Sequence, residues 1–275
     1  MTALIETQQY AGSLAAPLGD GEVWELVRAE AQALATREPV MGPALTLVTD
    51  AGSNAELVAG VLAAPLALAR TDEQSLASLL AAVFNTNPQI LLATEADLQA
   101  VMERDPACPG FLHVLVNLKG FQALQTYRAA HQLWFDGRKE VASWLSNLAS
   151  LVFGPDIHPA ACIGKAVMLD HGSGIVIGET SVIEDQVSIL QNVTLGGTGK
   201  ETGDRHPKIR RGVMIGAGAK ILGNIEVGAF SKVAAGSVVL KSVPPRTTVA
   251  GVPATVVRIH RVDEVPAAEM DQTIV

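Results

Sequence analysis

Aliphatic side chains recur at every sixth position between Ile157 and Val243. A period of six matches neither the 3.6 residues of an amphipathic helix nor the alternation of a strand, but it suits a chain that turns a corner after each short strand. The pattern predicts a parallel β-helix of about four coils, with its wall strands stacked about 4.8 Å apart. The hexads open at Ile157, Ile163, Leu169, Ile177, Ile183, Ile189, Leu195, Ile209, Ile215, Ile221, Val227, Val233 and Val239.

Two insertions interrupt this six-residue period. One adds Ile175 and Val176, and the other adds eight residues, 201 to 208, before the hexad that opens at Ile209. Insertions in a coil map to loops, and loops on a rigid scaffold often carry function. We therefore expect the chemistry of the protein at these two breaks.

The half of the chain before the coil, residues 21 to 154, shows helical periodicity. Helices are predicted at residues 22–37, 71–84, 111–135 and 141–151. Glu30 falls within the apolar face of the first helix, Thr71 followed by Gln74 gives the second a capping signature, and Gly120 is the one interruption expected in the third. An apolar helical half is more typical of packing or oligomerisation than of chemistry.

The overall prediction is an α+β protein with two domains and a tail. The expected bounds are 1–154 for the helical domain, 155–257 for the coil and 258–275 for a polar tail, interpreted as flexible. A length of 275 residues with 48% hydrophobic residues suffices to bury a sizeable core.

Composition and the start of the chain favour a cytoplasmic protein. The first ten residues lack the basic segment and apolar core of a signal peptide. The longest apolar stretch, residues 57–69, is too short to span a bilayer and contains Pro65. A formal net charge of −8 argues against nucleic acid as a main partner. Cys108 and Cys162 match no metal-ligand spacing, so they are interpreted as reduced structural thiols, and no metal site is expected.

His171 stands at the first break, followed by Gly172, Ser173 and Gly174 in a turn that leaves the imidazole little cover. Asp156 lies fifteen residues earlier, nearly one coil back, and is therefore expected one layer below on the same edge. A carboxylate there would orient the imidazole and stabilise its protonated form, as a general base requires. The alternatives are a plain surface histidine and a turn aspartate.

The second break carries Arg205 beside His206 in a stretch too polar for the core. The planar guanidinium of arginine suits two-point recognition of a carboxylate. A solvated loop charge is the alternative. Cys162 has no base beside it in sequence, which favours a structural thiol over a nucleophile.

Several runs of residues in order resemble the serine O-acetyltransferase family. They are residues 104–107 and 118–121 in the helical half and residues 156–161, 169–171, 193–200, 203–209, 216–223 and 250–254 in the coil. The hexads alone indicate only the hexapeptide-repeat acyltransferase superfamily, whereas the helical domain and the Asp204-Arg205-His206-Pro207 loop narrow the resemblance to this family. The resemblance implies a left-handed β-helix, a trimer with active sites between neighbouring coils, and two trimers joined into a hexamer.

The resemblance also implies a division of roles. His171 would take the proton of the serine hydroxyl, Asp156 would orient His171, Arg205 would bind the substrate carboxylate, and Asp105 and Asp170 would bind the ammonium. His206 would help to position the substrate. A positioned base is worth roughly 10² to 10⁴ in rate.

Acetyl-CoA is the acetyl donor that the resemblance implies, with no permanently bound cofactor. The matching positions along the coil edge are Gly197, Ala217, Lys232 and Ala235. Small residues let a pantetheine arm approach the backbone, although tight turns explain them equally well. Inhibition by cysteine is expected, because cysteine differs from serine only by sulfur in place of oxygen.

Other functions stay open at this point. A hexapeptide acetyltransferase for homoserine, a sugar or a drug hydroxyl would share the coils and the histidine. A β-helix carbonic anhydrase would need His158, His171 and His206 to meet at a subunit interface, and a non-catalytic scaffold would need neither the dyad nor the Arg205 loop. Family members also dock a C-terminal isoleucine into cysteine synthase, whereas this chain ends in Val275.

Overall fold

A computed structural model of the protein describes residue 19 and residues 21–67 and 71–274. The part before the coil is helical, and its bounds follow in chain order. They are α1 Glu22–Arg37, α2 Gly42–Thr49, α3 Asn54–Ala67, α4 Glu73–Thr86, α5 Pro88–Arg104, α6 Phe111–Asn117, α7 Lys119–Phe135 and α8 Lys139–Phe153, with a short 3₁₀ turn at Pro39–Met41.

The predicted helices are present, with two local differences. The cap of α4 is Asp72 rather than Thr71, because the Asp72 carboxylate accepts a hydrogen bond from the Ser75 backbone N–H at 2.7 Å. The predicted helix at 111–135 is divided at Leu118 rather than at the expected Gly120, which lies inside α7. Glu30 lies in the apolar face of α1 for a reason: its Oε2 accepts from the backbone N–H of Leu112, in the first turn of α6, at 2.8 Å.

The coil confirms the six-residue pattern. Its strands are β1 Asp156–Ile157, β2 Cys162–Ile163, β3 Met168–Leu169, β4 Val176–Ile177, β5 Val182–Ile183, β6 Ser188–Ile189, β7 Thr194–Gly196, β8 Lys208–Ile209, β9 Met214–Ile215, β10 Lys220–Leu222, β11 Glu226–Val227, β12 Lys232–Val233, β13 Val238–Val239, β14 Thr247–Gly251 and β15 Ala254–Ile259.

These strands form three flat faces of parallel strands. Face 1 has the order β1-β4-β7-β10-β13, face 2 has β2-β5-β8-β11, and face 3 has β3-β6-β9-β12-β14, to which β15 adds an antiparallel edge. The aliphatics that open the hexads pair in register, for example Ile157 with Ile177 and Ile183 with Ile209, and line one core along the axis. The eight-residue insertion before Ile209 leaves this register unchanged, because it bulges out at a corner.

A helix of the first half packs directly on the bottom of the coil. A side chain at Gly120 would place its Cβ 2.0 Å from the carbonyl oxygen of Leu169, so only glycine allows α7 to approach the coil this closely. Leu124 and Tyr127, further along α7, belong to the core of the coil. The helical part therefore fixes the position of the first coil and its corners.

The end of the chain is also structured, which differs from the expected flexible tail. β15 pairs with β14, and helix α9 (Pro266–Glu269) places Ala267 in a fully buried position. The Ala267 carbonyl accepts a hydrogen bond from the Ser188 hydroxyl at 2.8 Å, and buried His260 contacts Glu264 at 2.6 Å. Paired polar groups and small apolar residues thus hold residues 258–274 against the coil, whereas Val275 lies outside the described residues.

Among the described helices, none alone has the length and apolar character to cross a membrane. The pair α4 and α5 meets that criterion only when counted together, and it is bent by 99° at its break.

Candidate active site

The first group of predicted residues gathers where face 3 turns into face 1, at residues 170–175, here called the 170 corner. A cavity of about 190 Å³ beside it is lined by Asp105, Lys119, Asp170 and His171, among others. Asp105 reaches it because it directly follows the C-terminus of α5. The single chain therefore brings the predicted base and both predicted ammonium ligands together.

His171 projects from this corner as its turn sequence predicts. Its backbone is left-handed, with φ of 56°, and its side chain is 74% exposed. Its Nε2 lies 3.9 Å from Asp170 Oδ1, which is an ion-pair distance but longer than a hydrogen bond. The imidazole is thus free to accept a proton from a molecule in the cavity.

Two carboxylates facing one cavity favour a cationic ligand. Burial raises the pKa of the Asp170 carboxyl, while His171 lowers it and Asp105 raises it. A bound ammonium would relieve both the desolvation and the repulsion between the carboxylates. The charge of this corner therefore matches the predicted role of Asp105 and Asp170.

Asp156 lies on face 1 rather than in the corner. It opens β1 and pairs in register with Val176, five residues beyond His171. Among the described residues, no hydrogen bond or ion pair joins Asp156 to His171. Its role as the orienting group remains a prediction.

The second group lies at the other edge of face 1, where face 1 turns into face 2. This 205 corner comprises residues 178–181 and the loop 197–207. Arg205 Nη2 lies 2.7 Å from Glu179 Oε2, and its Nη1 donates to the Gly203 carbonyl at 3.0 Å. His206 is 7% exposed and contacts Thr180. The Arg205 guanidinium therefore has a fixed orientation in the single chain.

The protonation of His206 follows from its surroundings. Burial lowers the pKa of the His206 imidazole, and the positive charges of Arg205 and Lys208 lower it further. The negative charge of Glu179 raises it, but by less. Burial also lowers the pKa of nearby His158, while Glu179 and Asp156 oppose that change. Both rings thus favour the neutral form.

The six predicted catalytic and substrate residues do not form one cluster in the single chain. A strand of face 1 separates the 170 corner from the 205 corner, and neither Arg205 nor His206 lines the cavity that holds Asp105, Asp170 and His171. Both corners are exposed edges of the same coil.

The residues matched to acetyl-CoA are also distributed over both edges. Ala217 and Ala235 lie above the 170 corner on successive coils, joined by a hydrogen bond from Gly236 N to the Ala217 carbonyl at 2.8 Å. Buried Lys232 opens β12 and donates from Nζ to the Thr273 carbonyl of the tail. Gly197 begins the loop of the 205 corner, with room for a Cβ 3.5 Å from the Arg205 side chain.

Three functional candidates were missed in the sequence: Gly178, Glu179 and Thr180. They form the turn directly beneath the Arg205-His206 loop. The hexad register places these residues one coil before the insertion, where a turn is expected to contact the inserted loop. Periodicity alone does not identify which side chains make that contact.

Both cysteines are free thiols, as interpreted from their spacing. Burial, with Asp105 and Glu30 nearby, raises the pKa of the Cys108 thiol to about 11. Within residues 21–67 and 71–274, no group of three or more His, Cys, Asp or Glu side chains is placed to hold a metal ion.

A coil of hexapeptide repeats with a projecting histidine and carboxylates at its corner defines a hexapeptide-repeat acyltransferase. Family models match in both halves: "Serine acetyltransferase, N-terminal" at residues 23–126 and "Bacterial transferase hexapeptide (six repeats)" at residues 206–241. The serine acetyltransferase of Salmonella typhimurium is 52% identical over 255 residues, which cover 91% of this chain and 92% of the relative. The chain belongs to the serine acetyltransferase family.

Solved structures agree with this assignment. A serine acetyltransferase in complex with cysteine superposes with a TM-score of 0.89 at 48% identity, covering 92% of this chain and 99% of that one. The Brucella abortus enzyme in complex with coenzyme A gives a TM-score of 0.85 at 48% identity, covering 87% and 96%. The predicted fold class, a helical domain followed by a left-handed parallel β-helix, is confirmed, and the function is that of a serine O-acetyltransferase.

Proposed function

We propose that the protein acetylates the serine hydroxyl with acetyl-CoA in an active site shared by two neighbouring chains. The separation of the 170 corner from the 205 corner carries this proposal. One corner offers a base and two carboxylates for an ammonium, and the other offers a guanidinium for a carboxylate. An amino acid needs both, so the 170 corner of one chain must face the 205 corner of the next.

His171 takes the proton of the serine hydroxyl as the oxygen attacks the thioester carbonyl of acetyl-CoA. The electron pair of the carbonyl moves onto its oxygen, which a backbone N–H of the coil stabilises. When the tetrahedral intermediate collapses, the C–S bond breaks, the ester carbonyl re-forms and protonated His171 returns the proton to the thiolate. Asp156 orients His171 when the neighbouring chain closes the site.

Substrate recognition divides between the two corners. Asp105 and Asp170 bind the ammonium of serine, and Arg205 and His206 of the adjacent chain bind its carboxylate. In the single chain Arg205 is paired with Glu179, so the substrate carboxylate joins an arginine that is already oriented. Cysteine carries the same ammonium and carboxylate, and a relative binds it. Cysteine should therefore inhibit by competing with serine.

Acetyl-CoA lies along the coil edge above the 170 corner in this proposal. Ala217 and Ala235 leave space beside the backbone, Lys232 supplies a cation and Gly197 of the adjacent chain lines the other side. The coenzyme A complex of the Brucella abortus relative supports this donor. Because Lys232 contacts the Thr273 carbonyl, the last residues must share this edge with the donor.

The assembly follows from the shared site. Family membership indicates an oligomer, and we propose a trimer, two of which join through the helical domains into a hexamer.

We further propose a cytoplasmic location and docking of the C-terminus to cysteine synthase. Titration of cysteine synthase with the wild type, Val275→Ile and a chain lacking residues 273–275 tests the docking, and equal affinity for all three would exclude the tail as the docking element.

Subunit mixing tests the shared site. His171→Ala and Arg205→Ala chains should each be nearly inactive alone, but equal co-expression should restore about one quarter of the sites, because random mixing places an intact corner opposite an intact corner at one interface in four. Mixing His171→Ala with Asp170→Asn is the control and should give no activity above that of the two parent variants, since both changes lie in one corner. No recovery in the first mixture would contradict the shared site.

A thiol-release assay tests the acceptor. With acetyl-CoA and a panel of serine, homoserine, sugars and amino alcohols, serine should be the only strong acceptor. A sugar or homoserine used at least as well as serine would overturn the substrate.

A further inference from the structure

We propose that Thr180 is a positioning residue that fixes His206 in the neutral tautomer with its proton on Nε2, so that His206 offers one directed N–H donor to an oxygen of the substrate carboxylate. The inference rests on the proposed function for the identity of the acceptor. The tautomer itself rests only on the geometry of the 205 corner.

The contacts of Nδ1 decide the tautomer. The backbone N–H of Thr180 donates to His206 Nδ1 at 3.2 Å. A backbone N–H cannot accept, so Nδ1 must present its lone pair. In a neutral imidazole the other nitrogen then carries the proton. A protonated ring would turn a second N–H toward the Thr180 N–H and lose this contact.

The Thr180 hydroxyl reinforces the same assignment. Its oxygen accepts from the backbone N–H groups of Arg205 at 3.0 Å and His206 at 3.1 Å, which occupies both of its lone pairs. Its own proton is then directed at His206 Nδ1, 2.9 Å away, where it shares the single lone pair of this nitrogen with the backbone N–H of Thr180. Thr180 therefore both holds the backbone of the loop and fixes the orientation of the His206 ring.

The surroundings of the other ring nitrogen, His206 Nε2, are also defined by the structure. A Cβ on Gly178 would lie 2.1 Å from His206 Cδ2 and 2.2 Å from Nε2, so the ring rests on the backbone of this glycine. Within the described part of the chain, Nε2 makes no hydrogen bond. The Nε2–H is thus held by its surroundings and available to a ligand.

The surrounding charges favour the same neutral form. His206 is buried, and Arg205 and Lys208 lie close enough to disfavour a further positive charge. A neutral donor beside the Arg205 guanidinium complements two oxygens of one carboxylate without repelling the arginine. A substrate that lacks the carboxylate leaves the His206 Nε2–H without an acceptor, which makes Thr180 a determinant of specificity through His206.

The test compares Thr180→Val, which keeps the shape but loses the hydroxyl, with Thr180→Ser, which keeps the hydroxyl. Ring ¹⁵N NMR of histidine-labelled protein, with His206 assigned by its loss in His206→Gln, reports the tautomer directly. We expect Nε2–H in the wild type and in Thr180→Ser. In Thr180→Val, which keeps the backbone N–H contact with Nδ1 but loses the hydroxyl, we expect a partial loss of this preference and protonation of the ring at higher pH. The serine KM should rise about tenfold in Thr180→Val, with kcat changed less than about twofold and Thr180→Ser near wild type.

A proton on Nδ1 of His206 in the wild type would overturn the proposal, and so would a Thr180→Val protein that keeps both the wild-type tautomer and the wild-type serine KM. If Thr180→Val fails to assemble, the wild-type spectrum and Thr180→Ser still decide the tautomer. If the protein does not acetylate serine at all, the proposed function fails while the spectrum still tests the role of Thr180.

Discussion

Asp97 and Arg128 form a buried ion pair, 2.6 Å long, where the helical half meets the coil. Asp97 also accepts from the backbone N–H of Val167 at 2.9 Å, and Arg128 Nη2 donates to the Gly164 carbonyl at 2.7 Å. The pair therefore ties α5 and α7 to one corner of the first coil. Because α5 ends just before Asp105, the same pair fixes that carboxylate relative to the cavity.

Removing one partner of this pair should destabilise the protein strongly. Arg128→Met leaves the carboxylate of Asp97 buried and unpaired, which should cost about 3 to 5 kcal/mol in the free energy of unfolding. The double variant Asp97→Leu with Arg128→Met should recover much of that loss. Denaturant unfolding measures both. The exposed pair Arg261–Asp263 is the control, and Asp263→Asn should cost under about 1 kcal/mol.

The catalytic dyad gives a second prediction. His171→Ala removes the proposed base and should lower turnover at least about 10²-fold, whereas Asp156→Asn should cost less, because the base is retained. Steady-state kinetics on assembled protein measures both. Turnover of His171→Ala within a few-fold of the wild type would exclude His171 as the base.

The Asp170 carboxylate should lower the stability of the folded protein, although it contributes to substrate binding. Its folded-state pKa lies above the ordinary 3.8, so between these two values the folded protein binds more protons than the unfolded chain, and stability falls as the pH rises through the raised pKa. Asp170→Asn should therefore raise the unfolding temperature at pH 7, by about 1 to 3 °C, while weakening serine binding. The gain should disappear below pH 3.8. A difference in unfolding temperature that does not vary with pH would contradict this.

The close approach of α7 to the coil gives a fourth prediction. Gly120→Ala would force its Cβ against the Leu169 carbonyl, next to Asp170 and His171, and should cost about 1 to 3 kcal/mol as well as activity. Gly60→Ala, inside α3, meets only an ordinary van der Waals contact with the Leu47 side chain at 3.5 Å and should be neutral or slightly stabilising. Equal stability of the two variants would mean that the helix does not need this contact.

The sequence predicted the coil well because every inward position follows from one local period. Ile157 and Ile183 were placed in the core by spacing alone, and His171 was expected to project because of its glycine-rich turn. The contacts of Glu179 and Thr180 with the Arg205-His206 loop join residues about one coil apart, so no local pattern reports them.

The tail was missed for a related reason. Its polar composition resembles a solvated segment, but His260 and Glu264 satisfy each other in a buried position. The division of the site between two corners also required the structure, since resemblance assigns roles to residues and does not place them in space.

The register of the strands is unchanged across the eight-residue insertion, so the packing of the core does not depend on the loop at its edge. Val182 still pairs with Lys208, and Ile183 with Ile209, although the chain between them makes a long excursion. Length and sequence of this excursion can therefore drift without disturbing the core. The groups proposed to recognise the substrate carboxylate can therefore change within this loop, while the ladder of aliphatic residues stays under a separate packing constraint.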